Sequence, residues 1–282
     1  MKTKTISLKI KSIYRDLSKK EKTIASFILH DPKNVSHMTI TEIAKYLGFA
    51  DSTIFQFTKK LGYSGFRDFR NDLLTETFDP EISIHENIKQ SDSYYTIAQK
   101  VFDSSIQSLK DTKSLIDPKT VERAAKMILS SDSINFFGVG GSNVVSYDAY
   151  HKFLRSPIPC RYNSDFHIQL MQASLLTSKD CAIIISHTGL THESIKIAQT
   201  LKKANAKIII ITSYNLSPLT KYSDILLISS SEETGFRSES LSSRIAQLAI
   251  IDCLFTIVMF DNEQKSRESL YKIREIISST KG

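Results

Sequence analysis

The stretch Cys181 to Ser194, CAIIISHTGLTHES, limits the fold more than any other. Ala182 to Ile185 is an apolar run with no polar face, and a strand of that kind is buried on both sides of its sheet. It stops at Ser186. Hydroxyl residues and one glycine follow, and an amphipathic helix starts near Thr191. A buried strand feeding a helix through a short polar loop is the repeating unit of a parallel sheet. The loop also has the makings of an anion cradle. A helix N-terminus offers unpaired N–H groups and partial positive charge. Ser186, Thr188 and Thr191 add hydroxyls, and Gly189 permits close backbone approach. The loop has no Lys or Arg, which suits a polyhydroxy ligand with one phosphate better than a triphosphate. The same residues also read as an ordinary strand–helix connection with a hydroxyl cap.

The surrounding sequence repeats the unit. Ile134 to Phe137, Lys207 to Ile211 and Asp224 to Ile228 read as further strands, with helices at Asn143 to Leu154 and Glu193 to Ala204. The pattern predicts a parallel, doubly wound α/β sheet, in which ligands sit beyond the carboxyl ends of the strands. Three such ends carry hydroxyls: Ser142, then Ser186 with Thr188 and Thr191, then Thr212 with Ser213. The turn Gly138-Val-Gly-Gly-Ser142 invites a dinucleotide reading, but the third glycine of that fingerprint would fall on Asn143. His187 and His192 read either as ligand contacts or as solvent-facing loop residues. Glu193 reads as an acid/base or as a first-turn partner of the helix dipole. Leu241 to Phe260 is expected to be a core helix or a subunit contact. Its apolar run from Leu248 is interrupted by Asp252 and falls short of the ~20 residues of a membrane span.

Charge separates this half from the first quarter of the chain. Residues 1–77 hold 14 Lys and Arg against 8 Asp and Glu, so nearly all of the net +7 lies there. A basic head on a near-neutral body points to nucleic acid. Ile6, Ile10, Ile13 and Leu17 recur at helical spacing. Ser18 to Glu21 and Thr39 to Glu42 are capping boxes that open two more helices. The second of these, Thr41 to Leu47, ends at Gly48, and a further helix runs from Asp51 to Leu61. Helix, glycine-containing turn, helix is the helix-turn-helix pattern, whose second helix enters the major groove. Ser52, Thr53, Phe55 and Gln56 would be presented to base edges. Lys59, Lys60, Arg67 and Arg70 are candidate phosphate contacts. Phe78 to Ser93 is polar and aperiodic and reads as a linker (78–93). The chain is thus expected to hold a helix-turn-helix domain over 1–77 and an α/β domain over 94–282.

The three cysteines are odd in number, widely spaced and without a CxxC, so neither a disulfide framework nor a zinc site is expected. No metal, cofactor or membrane association is expected. The N-terminus lacks the apolar core of a signal peptide, which makes the cytoplasm the expected compartment.

Two resemblances add to this reading. TITEIAKYLGFADSTIFQFTKKLGYSGFRDFR resembles the N-terminal domain of the RpiR/MurR transcriptional regulators, with Glu42, Ile43, Ala44, Thr53, Phe57, Lys60, Leu61, Gly62, Tyr63, Gly65 and Phe66 matching its pattern. Ala50 stands where that family has a capping Ser, so the cap is expected to shift to Asp51 or Ser52. Gln56 stands where it usually has Arg. FFGVGGSNVVSYDAYHKFLR, the Cys181 stretch, SPLTKYSDILL and FRSESLSSRIAQLAIIDCLF resemble the SIS (sugar isomerase) domain of the same regulators. The resemblance implies a flavodoxin-like fold and a sugar-phosphate effector. Its S-x-S-G-x-T loop matches Ser186-His187-Thr188-Gly189-Leu190-Thr191. By resemblance Ser142 matches the family's first-loop serine, and Glu239 the acidic residue facing the sugar; Ser213, at a neighbouring strand end, joins them as a candidate effector contact. The implied protein is a homodimer or homotetramer that binds double-stranded, palindromic operator DNA under sugar-phosphate control. A phosphosugar isomerase or lyase with a helical oligomerisation element is the other reading. A basic groove-reading head favours the regulator.

Overall fold

The computed structural model describes residues 5–75, 91–230 and 241–280. Contacts divide the chain into two compact units, Met1–Leu115 and Ile116–Gly282.

The first unit is helical throughout its described residues. Its helices are α1 (Thr5–Ile13), α2 (Lys19–His30), α3 (Pro32–His37), α4 (Ile40–Leu47), α5 (Asp51–Lys60), α6 (Phe66–Thr75) and α7 (Tyr94–Leu115). Both expected capping boxes form. Ser18 and Thr39 each accept from the backbone N–H three residues on, and Glu21 and Glu42 reach back to the cap N–H. α4 closes on Gly48 at φ 70°, and the Phe49 N–H reaches back to the Ala44 carbonyl at 2.8 Å. That left-handed turn sets α5 across α4. Ile6, Ile24, Ile28, Ile43, Ile54, Phe57 and Phe69 form the shared core. Stacking of Phe27 on Tyr46 ties α2 to α4.

One local expectation fails. The α5 cap does not move to Asp51 or Ser52. Ala50 keeps the cap position without any side-chain bond, and Asp51 instead accepts a hydrogen bond from the Thr41 hydroxyl at 2.7 Å. The Thr53 N–H still finds the Ala50 carbonyl, so the backbone supplies what the absent serine would have.

The second unit is a five-stranded parallel sheet in the order β2-β1-β3-β4-β5, from β1 (Ser133–Gly138), β2 (Cys160–Tyr162), β3 (Asp180–Ile185), β4 (Lys207–Thr212) and β5 (Ile225–Ile228). Helices α8 (Pro118–Leu129), α9 (Gly141–Phe153), α10 (Phe166–Leu175), α11 (His192–Lys203), α12 (Leu241–Asp261) and α13 (Glu263–Ser278) complete it. α8, α9 and α12 share one core with one face of the sheet. α10 and α11 share a second core with the other face. Alternate residues of β3 divide between these cores: Ile183 and Ile185 join the first, Ala182 and Ile184 the second. Sequence periodicity does not reveal β2 or α10. β2 is three residues long, and α10 is apolar on nearly all sides, so neither carries a clean period.

α12 is long and apolar enough by composition to cross a membrane over Ser243–Asp261. Ile250, Ile251, Leu254 and Val258 are instead part of the core of the sheet. α7, expected with the α/β domain, groups by its contacts with the helical unit.

Gly138 closes β1 where no side chain fits. A Cβ there would overlap the Ser146 hydroxyl and lie 2.8 Å from the Ser142 carbonyl oxygen. Gly138→Ala is expected to cost about 2 kcal/mol through overpacking, read as a fall in the denaturation midpoint at unchanged m-value.

Candidate functional sites

The parallel sheet brings its loops to one edge. Gly138 pairs with Ile185 and Ile185 with Ile211, so the ends of β1, β3 and β4 lie side by side. The helices that follow β1 and β3, α9 and α11, turn their N-termini to that edge. Both begin without a side-chain cap, at Gly140 and Thr191, so their first N–H groups keep their hydrogen-bonding capacity.

The Ser186 loop is held from inside. The Ser186 N–H bonds the Ile211 carbonyl at 3.0 Å, and the buried Ser186 hydroxyl accepts from the Gly189 N–H at 3.2 Å. The Thr188 hydroxyl accepts from Leu190 N–H at 3.2 Å. Gly189 sits at φ 62°, and a Cβ there would overlap the Ser217 hydroxyl and come within 2.6 Å of the Ser217 Cβ. Its carbonyl accepts from Leu219 N–H at 3.2 Å. The β3 loop and the β4 loop are therefore packed as one body.

His187 belongs to this body. Its Nδ1 lies 2.9 Å from the Ser213 hydroxyl, which lies 3.0 Å from the buried Ser229 hydroxyl at the end of β5. The His187 carbonyl accepts from Thr212 Oγ1 and from the Ser213 N–H, both at 3.0 Å. Its ring meets Tyr214 edge to face, 5.8 Å between centroids. The open choice between ligand contact and solvent-facing residue thus narrows: His187 is half-buried and braced, while His192 is exposed. Ser142 stands in the first turn of α9, half-buried at the neighbouring strand end. Glu239 lies outside the described residues.

Sequence reasoning missed three contributors. Ser217 and Asn215 each bury a side-chain oxygen with no hydrogen-bond partner. The Ser-Pro pair at 217–218, which starts the short helical turn Pro218–Tyr222, was the signal available. Gln169 is fully buried on α10 and brackets Gly138, accepting from its N–H at 3.2 Å and donating to its carbonyl at 3.0 Å. It pins the start of the Ser142 loop. Among the described residues no three His, Cys, Asp or Glu gather as a metal site. Burial pushes the Cys181 thiol up to about 12 and that of Cys160 to about 11, which leaves both unreactive.

On the head, α5 presents Ser52 and Gln56 fully to solvent, with Thr53 half-buried beside them. Phe55 is only partly free: its ring edge lies against Gly65, where a Cβ would be 3.3 Å away. Lys59 is exposed, 3.5 Å from the Ser64 carbonyl, and Arg67 is exposed on α6. Lys60 differs. Its ammonium donates to both oxygens of Glu21, at 3.0 and 3.2 Å, and clamps α5 to α2. Arg70 is half-buried, with Nε buried and unpartnered.

Comparison with known proteins fits both units. Residues 4–79 match the helix-turn-helix domain of the rpiR family, and residues 127–257 match the SIS domain. An uncharacterized HTH-type transcriptional regulator of Caldanaerobacter subterraneus is 32% identical over 272 residues, 96% of each chain. The chain belongs to the RpiR family of HTH-type transcriptional regulators. HexR of Escherichia coli is 29% identical over 97% of this regulator and 94% of its own length. Among solved structures, the Vibrio vulnificus NanR protein complexed with ManNAc-6P covers 98% of both chains at TM-score 0.62 and 24% identity. A phosphoheptose isomerase from Francisella tularensis covers 59% of the regulator and 98% of its own chain at TM-score 0.52 and 20% identity, a likeness of fold.

The Glu21–Lys60 clamp makes a prediction. Burial raises the Glu21 pKa, but hydrogen bonds from Ser18 and Lys60 outweigh it and hold the carboxyl below its ordinary 4.5. A carboxyl depressed in the folded state stabilises above its unfolded pKa, and that contribution is lost as pH falls through the folded value. Glu21→Gln should therefore cost about 1 kcal/mol at neutral pH. The difference from wild type should shrink as pH drops below 4.5, followed by urea denaturation at each pH.

Proposed function

We propose that this regulator senses a sugar phosphate at the carboxyl edge of its sheet and converts its occupancy into a change in DNA binding, acting in the cytoplasm on genes of sugar or amino-sugar metabolism. The observation that carries the reading is the braced, cation-free loop body of Ser186, Thr188, Gly189, Thr191 and Ser213. Two helix N-termini and hydroxyl donors suit a single phosphate. The bound ManNAc-6P of NanR supports the same ligand class.

DNA recognition rests on α5. Gln56 suits a bidentate pair with adenine, and Thr53 a thymine methyl or a phosphate. Lys59 and Arg67 supply phosphate contacts, and Lys60 serves the fold of the head. A twofold arrangement of two heads would read a palindromic operator. The isomerase reading has the fold of SIS enzymes in its favour. Against it stand the basic groove-reading head and relatives that are named regulators over nearly their whole length.

A thermal-shift screen of hexose, hexosamine and N-acetylhexosamine phosphates should give at least one stabilising hit. Ligand at 100 times its Kd adds about 2.7 kcal/mol. The hit should vanish in Ser186→Ala. Absence of any hit, together with isomerase turnover on one of these sugars, would reverse the proposal. On upstream DNA, Arg67→Ala should flatten the slope of log K against log salt by about 1, since one phosphate contact is lost. Lys60→Ala should leave that slope unchanged.

A further inference from the structure

A hollow of about 430 Å³ opens where the end of α9 meets α12 and α13. That volume falls within the ~300–1,000 Å³ of small-molecule sites. Its walls are mainly apolar: Phe255, Met259 and Phe260 from α12 and Leu270 from α13. Phe260 is 82% exposed, and Phe255 meets the buried Phe153 of α9 edge to face, 5.4 Å between centroids. α9 begins at the strand-end platform with Ser142 and runs 13 residues, so its two ends lie about 20 Å apart. The hollow is a different place from the effector platform.

Two polar groups in its walls are unspent. Ser266 is 3% exposed, and its hydroxyl has no hydrogen-bond partner among the described residues. A serine inside a helix commonly bonds the carbonyl four residues back, as Ser105 and Ser146 do. The carbonyl in that position, of Asn262, accepts from the Ser266 N–H instead, at 2.8 Å. Arg155, just past the end of α9, is the second group. Its guanidinium donates to the His151 carbonyl at 2.9 Å and lies 3.5 Å from His151 Nε2, and it forms no ion pair among the described residues. Arg267, also in the walls, is taken by Glu263 at 2.5 Å. Two guanidiniums against one carboxylate leave the hollow a single positive charge.

We propose that this hollow is a second ligand site of the regulator, binding a compact apolar carboxylate that carries one hydroxyl. The carboxylate pairs with Arg155 and the ligand hydroxyl with Ser266. A single positive charge suits a monoanion better than a phosphate dianion, and the guanidinium fork matches a carboxylate. An apolar side chain of another protein would cover Ser266 and leave its hydroxyl unpaired, which is costly. The site goes beyond the effector proposal and does not depend on what the sheet edge binds.

Fluorescence titration of the full chain with three probes tests both contacts: 6-hydroxy-2-naphthoate, 2-naphthoate and the neutral 2-naphthalenemethanol. The two acids should bind saturably at one probe per chain, the hydroxy acid about 5-fold tighter. Ser266→Ala, which removes a single heavy atom, should erase that difference. Arg155→Gln should weaken both acids about 20-fold and leave the neutral alcohol unchanged. Absence of saturable binding, equal affinity of the two acids for wild type, or unchanged acid affinity in Arg155→Gln would overturn the proposal. So would a probe stoichiometry that falls as protein concentration rises, the mark of a groove closed by another chain.

Discussion

The contact between Gly189 and Ser217 is the constraint on which the strand-end platform depends. Glycine at φ 62° leaves room for the Ser217 side chain where any Cβ would overlap it. The β3 and β4 loops can then lock through the Leu219 to Gly189 hydrogen bond. That lock places the Ser186 hydroxyl and the His187–Ser213–Ser229 chain on one rigid platform. β3 beneath is apolar on both faces from Cys181 to Ile185, so its polar chemistry lies at its end. Under the proposed function, a platform built from backbone and hydroxyls, with no cation in the loop itself, would hold its anion through oriented dipoles. Such a site gains less from bare charge than from fit to a phosphate.

The head shows the same economy in a different form. Its basic balance is not spent uniformly on DNA. Lys60 is committed to Glu21 and joins α2 to α5. That clamp orients the helix which exposes Gln56 and Ser52. Phe55, a groove-facing residue by its spacing alone, covers the turn at Gly65. Charge counting treats Lys59 and Lys60 as equivalent, and only the packing of α2 separates them.

Much of this is legible in the chain. Strands such as Ile183 to Ile185 announce burial on both faces, and Ser18 and Thr39 announce their helices through the residue three positions on. The strand-end hydroxyls Ser142, Ser186 and Ser213 follow from the parallel topology. What stays hidden depends on contacts distant in sequence. Gln169 bonds Gly138 across 31 residues, and α10, which carries it, has no amphipathic period to reveal it. Ser217 matters because Gly189 lies against it, which no local pattern encodes. The Ala50 cap defies the sequence expectation because a helix start can be satisfied by backbone alone once Thr41 engages Asp51.

Under the proposed mechanism, occupancy of the strand-end platform and DNA binding by the head are two sides of one equilibrium. Coupling of that kind is reciprocal: the factor by which an effector changes DNA affinity equals the factor by which DNA changes effector affinity. The most direct measurement is calorimetric titration of the active sugar phosphate into free and operator-bound protein, beside operator titrations with and without the sugar. Equal factors of about 5-fold or more, in the same direction, are the predicted result. A sugar phosphate that binds both forms with the same Kd would contradict the mechanism.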